Sequence, residues 1–292
     1  MTLIPFDDRD GFIWMDGKMV PWRDAKVHVL THGLHYASCV FEGVRSYGGK
    51  VFKLREHTQR LIKSGELLGF KIPYTLEQIE QATLDILAKQ NIVDGYIRPV
   101  AWRGSEMMAV SAQQTKIHLA IATWQWPSYF SKEAKERGLK LQISKWARPA
   151  PNTAPTASKA AGLYMICTLS KHAAEDAGFD DALMLDYRGL IAEATGANMF
   201  FVIDGELHTP IPDCFLDGIT RRTVMELAKK RGINVIERQI KPEELSKCSE
   251  IFLAGTAAEV TPIGRINDQT FAVGNITKQL MADYSERVLQ PS

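Results

Sequence analysis

The chain has 292 residues, of which 45% are hydrophobic and 24% are charged, the balance of an ordinary soluble globular protein. Lys and Arg number 35 against 34 Asp and Glu, so the net charge of +1 excludes a broad attraction for nucleic acid. The chain does not open on a basic segment followed by an apolar core, and no apolar run reaches the ~18 residues of a membrane-spanning helix. We therefore expect neither a signal peptide nor a membrane span.

The cysteines and histidines show no metal-binding pattern. The cysteines lack CxxC spacing, and the seven histidines form no HExxH motif. We expect reduced, mostly buried thiols, a cytoplasmic protein and no metal site. The four cysteines are Cys39, Cys167, Cys214 and Cys248.

The first part of the chain predicts strands, then helices, then strands, which is an α+β order. Two hairpins are predicted around the turns Asp16-Gly17 and Gly48-Gly49, with strands at residues 12–15 and 18–20 and at residues 44–47 and 51–54. Leucines recur every seven residues from Leu54 to Leu68, and Thr75 with Gln78 forms a capping box before a second helical pattern. Residues 96–102 and 117–124 read as buried strands.

A change of character near residue 126 predicts a link between two domains. We expect a small domain over 1–125, an interdomain loop over 126–138 and a larger domain over 139–292. In the larger domain the patterns predict helices over 160–177 and 220–231, and Gly232 ends the second as a helix C-terminal glycine does.

Lys159 lies in a segment that is otherwise made of small residues, Ala157 to Gly162. Small neighbours let a bulky group approach and lower the dielectric around the amine, which makes a lysine less basic and more nucleophilic. A solvated surface lysine fits the same pattern. Glu193 lies among small and apolar residues between two strand-like runs. If it is buried, its carboxylate needs a cation or a strong hydrogen-bond donor as a partner. The alternative is an exposed loop glutamate, which needs no such partner.

Two further segments have the character of phosphate sites. Residues 216–222 precede a helical pattern, where Gly218 allows close approach and Thr220 can cap the helix; simple capping is the alternative. Residues 254–262 follow a strand and present amide groups and a hydroxyl that suit a phosphate; a structural turn is the alternative. Arg98 alternates with Tyr96 on a strand, and an arginine on a buried strand face needs an anion.

Six motifs taken together, in this order, closely resemble the fold-type-IV pyridoxal-phosphate enzymes, and within them the branched-chain amino acid aminotransferases. They span most of the chain and read VFEGVR, YIRP, PNTAPTASKA, EATGANMFF, DGITR and GTAAEVTP. The resemblance implies a two-domain α+β fold, with a small α/β N-terminal domain and a larger mixed domain built on a β-barrel-like core. It also implies a site at a dimer interface, so a homodimer or a dimer-based oligomer is expected.

The resemblance also implies the residue roles. Lys159 is then the Schiff-base lysine and proton carrier of a ping-pong transamination through pyridoxamine phosphate. Glu193 pairs with the pyridine nitrogen and Tyr164 with the phenolic oxygen. The phosphate is held by Arg60, Gly218, Ile219, Thr220 and Thr256. The substrate is held by Tyr36, Phe41, Gly43, Tyr96, Arg98, Trp126, Tyr129, Thr256, Ala257 and Ala258, with Arg98 receiving the side-chain carboxylate of glutamate.

The chain departs from the family pattern after YIRP, where it carries Arg103, Glu106, Met107 and Ala109. Because of these residues, the sequence does not determine which substrate side chain the pocket accepts. A branched-chain L-amino acid and 2-oxoglutarate are the expected substrates. A D-amino acid or (R)-amine transaminase, or an aminodeoxychorismate lyase, is the alternative within the fold, and a protein that keeps the fold without catalysis is the alternative outside it.

Overall fold

The computed structural model describes residues 4–126 and 130–290. They form two compact units, one of residues 4–126 with 158–162 and one of residues 130–157 with 163–290. The segment that carries Lys159 thus groups with the first unit, and the domain division predicted from the sequence stays a prediction. Within the described ranges, no helix is long and apolar enough to cross a membrane.

The first unit is a mostly antiparallel sheet covered by helices. Its described strands are β1 (Phe12–Met15), β2 (Lys18–Pro21), β3 (Cys39–Phe41), β4 (Val44–Tyr47), β5 (Lys50–Val51), β6 (Gly95–Arg103) and β7 (Ile117–Gln125). Its helices are α1 (His32–Tyr36), α2 (Leu54–Leu67) and α3 (Leu76–Lys89). The strand order is β2-β1-β7-β6-β4-β5, and β3 also pairs with β6. The long strands β6 and β7 therefore form the centre of the sheet.

Strands β3 and β4 follow one another along the same edge of β6. Phe41 faces Val100, and Val44 faces Ile97, so both strands keep one register. The ladder is interrupted between them, at Glu42 and Gly43, opposite Pro99. The Glu42 amide donates to the Pro99 carbonyl at 2.9 Å, but proline has no N–H to return. This interruption lies in the VFEGVR motif.

Local signals account for the hairpins and helices of the first unit. Asp16 and Gly17 have φ of 48° and 86°, the left-handed values that the predicted turn requires. The predicted capping box is confirmed: Thr75 accepts from the Gln78 amide, and the Gln78 side chain accepts from the Thr75 amide. The predicted strand over 51–54 is wrong beyond Val51, because Lys53 takes a left-handed φ of 51° and α2 begins at Leu54.

The second unit contains a closed ring of strands. Its described strands are β8 (Leu139–Ile143), β9 (Asp181–Leu185), β10 (Ile191–Ala194), β11 (Asn198–Ile203), β12 (Glu206–Pro210), β13 (Val235–Arg238), β14 (Glu250–Gly255), β15 (Glu259–Ile266) and β16 (Gln269–Thr270). They run in the order β10-β9-β8-β15-β14-β11-β12-β13, with β16 beside β15. An additional pairing of β10 with β11 closes six of them, which confirms the expected mixed fold with a barrel-like core.

Apolar residues fill this ring, and helices flank it. Leu139, Leu141, Met199 and Leu253 are fully buried in one cluster. The helices are α4 (Lys132–Arg137), α5 (Met165–Asp176), α6 (Ile219–Lys230) and α7 (Asn275–Arg287). The helix predicted over 160–177 is divided into a 3₁₀ turn, Ala161–Tyr164, and α5. The helix predicted over 220–231 is confirmed as α6.

Candidate active site

Lys159 is held by its backbone on both sides. Its amide donates to Ser64 Oγ at 3.0 Å, and its carbonyl accepts from the Phe41 amide at 3.1 Å. The Ser158 hydroxyl also donates to the Ser64 carbonyl at 3.0 Å. Ser64 is 1% exposed, so this support is buried. The small residues around Lys159 thus let the segment lie against α2 and the edge of β3.

Lys159 is half-buried, and the pKa of its amine is strongly lowered. Burial and the nearby Arg60 charge bring the pKa of Lys159 down to about 8. The amine lies 5.1 Å from the centre of the Phe41 ring. A lysine with this pKa supplies a neutral, nucleophilic amine near neutral pH far more often than an exposed lysine does.

Arg60 and His57 both bind the carboxylate of Glu42, which is fully buried. Arg60 donates from Nε to Oε1 at 2.6 Å and from Nη2 to Oε2 at 2.9 Å, and His57 Nδ1 lies 2.7 Å from Oε2. Burial alone would raise the pKa of Glu42, but Arg60 and His57 hold it well below its usual range. Glu42 is therefore an ionised carboxylate inside the protein. Glu42 belongs to the VFEGVR motif, but the sequence alone predicts no role for it.

Tyr96 and Arg98 lie on the same face of β6, as the strand alternation predicted. Arg98 Nη2 donates to the Tyr96 hydroxyl at 3.1 Å, and the guanidinium lies 4.8 Å from the centre of the Phe41 ring. The Tyr96 ring lies 5.5 Å from the Trp126 ring. A Cβ atom on Gly43 would come within 2.1 Å of the Tyr96 hydroxyl. The structure therefore brings these five predicted substrate residues together in the first unit.

An apolar cavity of about 400 Å³ lies on this face of the sheet. Arg98 lines it together with Ala161, two residues beyond Lys159, and with Val27 and Leu34. The other two predicted aromatic residues are Tyr36 and Tyr129. Tyr36 is 44% exposed on α1, where its ring stacks on His32 at 4.6 Å. Tyr129 lies outside the described residues.

In the second unit Glu193 is a buried carboxylate with a cationic partner. It is 9% exposed, and its Oε1 lies 3.4 Å from Nε of Arg148, which is 3% exposed. Burial alone would lower the pKa of Arg148, but Glu193 raises it. Asn198 Nδ2 lies 3.4 Å from Glu193 Oε2 and donates to the Leu216 carbonyl at 3.0 Å. Glu193 is thus not the exposed loop glutamate of the alternative interpretation.

The helix α6 begins at a bare N-terminus. Its N-cap is Gly218, which offers no side-chain hydrogen bond, so the first amides of the helix have no side-chain cap. Ile219 and Thr220, at the first two positions, are 2% and 4% exposed. A Cβ atom on Gly218 would lie 2.1 Å from Asn198 Oδ1, so only glycine fits here. Such a terminus suits an anion.

The remaining predicted residues of the second unit lie at two turns. Thr256, Ala257 and Ala258 form the turn between β14 and β15, and Ala258 is 8% exposed. Tyr164 is half-buried at the start of α5, next to Leu163, whose carbonyl accepts a hydrogen bond from Arg148 Nη1 at 3.3 Å. The sequence does not predict the roles of Arg148 and Asn198. Arg148 lies outside the six motifs, and Asn198 belongs to EATGANMFF, but no local signal there marks it as a partner of Glu193.

One group of potential metal ligands occurs among the described residues. Ligand atoms of Asp186, Asp213 and Cys214 lie within 4.8 Å of one another. Arg188 Nη2 bonds both carboxylates, at 2.6 Å and 3.0 Å, so the acids already have a cationic partner. The expected lack of a metal site stays a prediction.

The class of protein follows from comparison with known families. The model of the family described as amino-transferase class IV matches residues 39–266, a range that contains Lys159, Glu193 and α6. The chain belongs to the class IV aminotransferase family.

Individual relatives refine this class. The chain is 47% identical over 256 residues to a probable branched-chain-amino-acid aminotransferase of Rickettsia bellii, covering 88% of this chain and 87% of the relative. It is 40% identical over 288 residues to the branched-chain-amino-acid aminotransferase of Pseudomonas aeruginosa, covering 96% and 94%. The crystal structure of a T.th. branched-chain amino acid aminotransferase with pyridoxamine 5′-phosphate is 36% identical, with a TM-score of 0.93 and coverage of 96% and 94%.

Proposed function

We propose that the chain catalyses pyridoxal-phosphate-dependent transamination between a branched-chain L-amino acid and 2-oxoglutarate by a ping-pong mechanism. The observation that carries this proposal is Lys159, a half-buried lysine fixed by its backbone to Ser64 and Phe41, whose pKa of about 8 suits it to attack a carbonyl group and to carry a proton. The relatives from Rickettsia and Pseudomonas support the substrate class, since both are named branched-chain-amino-acid aminotransferases.

The residues fit the cofactor in its chemistry. Pyridoxal phosphate supplies an aldehyde that captures amines and a protonated ring that withdraws electrons from the reacting carbon. Lys159 binds the aldehyde, Glu193 keeps the ring nitrogen protonated, and Tyr164 donates to the phenolic oxygen. The uncapped start of α6 supports the proposed phosphate position, because its amides and dipole favour an anion. The proposed phosphate ligands are Arg60, Gly218, Ile219, Thr220 and Thr256.

Lys159 is also the proposed proton carrier. With the cofactor bound, its neutral amine would take the proton from the α-carbon of the substrate and deliver it to the cofactor. The lowered pKa supports this role, because a base works best when its pKa lies near the working pH. The bond from the Lys159 amide to Ser64 Oγ and the Phe41 ring 5.1 Å from the amine support a defined place for the side chain.

We propose that the group around Tyr96 recognises the substrate. Phe41 and Trp126 supply apolar surface for a leucine, isoleucine or valine side chain, with Tyr36 and Tyr129 as further proposed members. Tyr96 and the turn of Thr256, Ala257 and Ala258 position the α-carboxylate. Arg98 binds the side-chain carboxylate of glutamate, the amino donor. Its contact with the Tyr96 hydroxyl supports a shared carboxylate-binding role.

The functional unit is proposed to be a homodimer in the cytoplasm. Exposed apolar side chains support self-association, because Val27, Val29, Leu30 and Leu34 are between 43% and 67% exposed within eight residues. Val27 and Leu34 also line the cavity beside Arg98. Sedimentation equilibrium of the purified protein tests the dimer, and a monomer at micromolar concentration contradicts it. Cell fractionation tests the location.

A panel of amino donors tests the function. L-Leucine, L-isoleucine, L-valine, D-alanine and (R)-1-phenylethylamine are each supplied with 2-oxoglutarate or pyruvate. The proposal predicts turnover of the three branched-chain L-amino acids with 2-oxoglutarate. Turnover of D-alanine or the chiral amine without turnover of L-leucine contradicts it and favours the alternative within the fold. A protein that stays colourless and does not bind added pyridoxal phosphate contradicts the proposed catalysis altogether.

A further inference from the structure

We propose that Glu42 is a positioning residue that aims the Arg60 guanidinium at the cofactor phosphate. The inference rests on the proposed function, because it assumes that Arg60 meets a phosphate and that Lys159 meets the cofactor aldehyde. It adds a role for the acidic residue of the VFEGVR motif and for its second partner, His57.

The first support is the geometry of the Arg60 fork. A guanidinium has five N–H donors, and Glu42 takes one on Nε and one on Nη2, at 2.6 Å and 2.9 Å. Two bonds to one carboxylate fix the plane of the guanidinium as well as its place. The remaining N–H donors lie in the same plane, so their directions are fixed as well. A single hydrogen bond to Glu42 would leave the guanidinium able to rotate.

The second support is that Glu42 itself is fixed. It lies where Pro99 interrupts the ladder of β3 and β4 on β6, and its own amide donates to the Pro99 carbonyl at 2.9 Å. Its side chain is fully buried and accepts from His57 Nδ1 at 2.7 Å and from the Gly43 amide at 3.3 Å. Four donors on two oxygens leave the carboxylate one orientation.

His57 completes the support without adding a charge. An ionised carboxylate only accepts hydrogen bonds, so His57 donates from Nδ1. Burial lowers the pKa of His57 despite the adjacent Glu42 carboxylate, so the ring is neutral at physiological pH. The group of Glu42, Arg60 and His57 is therefore electrically balanced, with one negative and one positive charge.

The orienting role is tested by comparing pyridoxal phosphate with pyridoxal. The dissociation constants of both compounds are measured by visible absorbance for the wild-type apoprotein and for Glu42→Asp, which keeps the charge but shortens the side chain by one methylene. The ratio of the two constants isolates the phosphate, because Lys159 and the ring contacts are common to both compounds. We expect the preference for the phosphate form to fall at least about tenfold, the worth of one lost charged hydrogen bond.

A double-variant cycle shows whether the effect passes through Arg60. Arg60→Gln is expected to lower the same ratio, and Glu42→Asp in the Arg60→Gln background is expected to lower it no further. An unchanged ratio in Glu42→Asp overturns the orienting role. A further loss of the same size in the Arg60→Gln background overturns it too, since Glu42 would then act without Arg60.

Glu250→Asp is the matched control. Glu250 is also a buried glutamate, 8% exposed, and it accepts from the amides of Ile276 and Thr277 at the start of α7. Its replacement is expected to lower stability while the phosphate preference stays at its wild-type value. Failure of the proposed function is recognised separately, because the wild-type protein would then show neither a visible band nor a preference for the phosphate form.

Discussion

Gly43 lies directly against the functional end of Tyr96, and this contact makes a sharp test of the substrate site. A Cβ atom at position 43 would lie 2.1 Å from the Tyr96 hydroxyl, whereas ordinary contacts begin at 3.4 Å, so the hydroxyl would have to retreat by about 1.3 Å. Tyr96 is 7% exposed and packs between Trp124 and Trp126, with ring centres at 5.2 Å and 5.5 Å. It therefore has little room to move. The φ of Gly43 is not positive, so the clash is the main cost of Gly43→Ala.

Gly43→Ala is expected to lower kcat/KM for L-leucine about 100-fold, which is the scale of a 1 Å misplacement of a positioning group. Binding of pyridoxal phosphate should change little, since neither Gly43 nor Tyr96 belongs to the proposed phosphate or ring ligands. Steady-state kinetics with 2-oxoglutarate as acceptor measures the first quantity, and visible absorbance measures the second.

Tyr96→Phe supplies the control for this reasoning, because it removes the atom closest to the new methyl group, at 2.1 Å, and leaves the ring Cζ at 3.0 Å. The double variant Gly43→Ala/Tyr96→Phe is then expected to lose much less activity than the product of the two single losses. Wild-type kcat/KM in Gly43→Ala would refute the reasoning. A double variant whose loss is the product of the two single losses would also refute it.

Three further changes have defined outcomes. Thr75→Ala should lower the unfolding free energy by about 1 kcal/mol in urea denaturation while Thr75→Ser does not, because the capping box loses its acceptor. Burial and the Arg238 charge lower the pKa of His208 in the folded protein, so protonation disfavours the fold. The stability of the wild-type protein should therefore fall as pH drops below about 6.5, and it should fall less in His208→Gln. Equal stability–pH profiles of the two proteins would refute this. Arg98→Ala should raise KM for glutamate more than for leucine, and equal losses would remove its role.

Features that depend on neighbouring residues could be predicted from the sequence. The turn at Asp16-Gly17 and the capping box at Thr75 are confirmed because a few adjacent residues determine each. The family motifs indicated Lys159 and Glu193 as candidates, and the structure shows Lys159 half-buried and Glu193 buried, each beside charged neighbours. The strand predicted over 51–54 overran its true end, since its apolar pattern continued into the first turn of α2.

Features that depend on distant residues could not be predicted. The partners of Glu42 come from α2, 15 and 18 residues away, and nothing in VFEGVR indicates them. Arg148 meets Glu193 across 45 residues of sequence, and the closure of the ring by β10 and β11 depends on the register of a tight hairpin. In each case tertiary packing decides which polar groups meet, and local propensity carries no information about it.

The proposed transamination depends most directly on the lysine that binds the cofactor. The protein is loaded with pyridoxal phosphate, reduced with borohydride, digested and analysed by peptide mass spectrometry. A phosphopyridoxyl group on Lys159, and no labelled peptide in the matched digest of Lys159→Ala, is the predicted result. The same group on another lysine of the wild-type protein, or undiminished transamination by Lys159→Ala, would contradict the account.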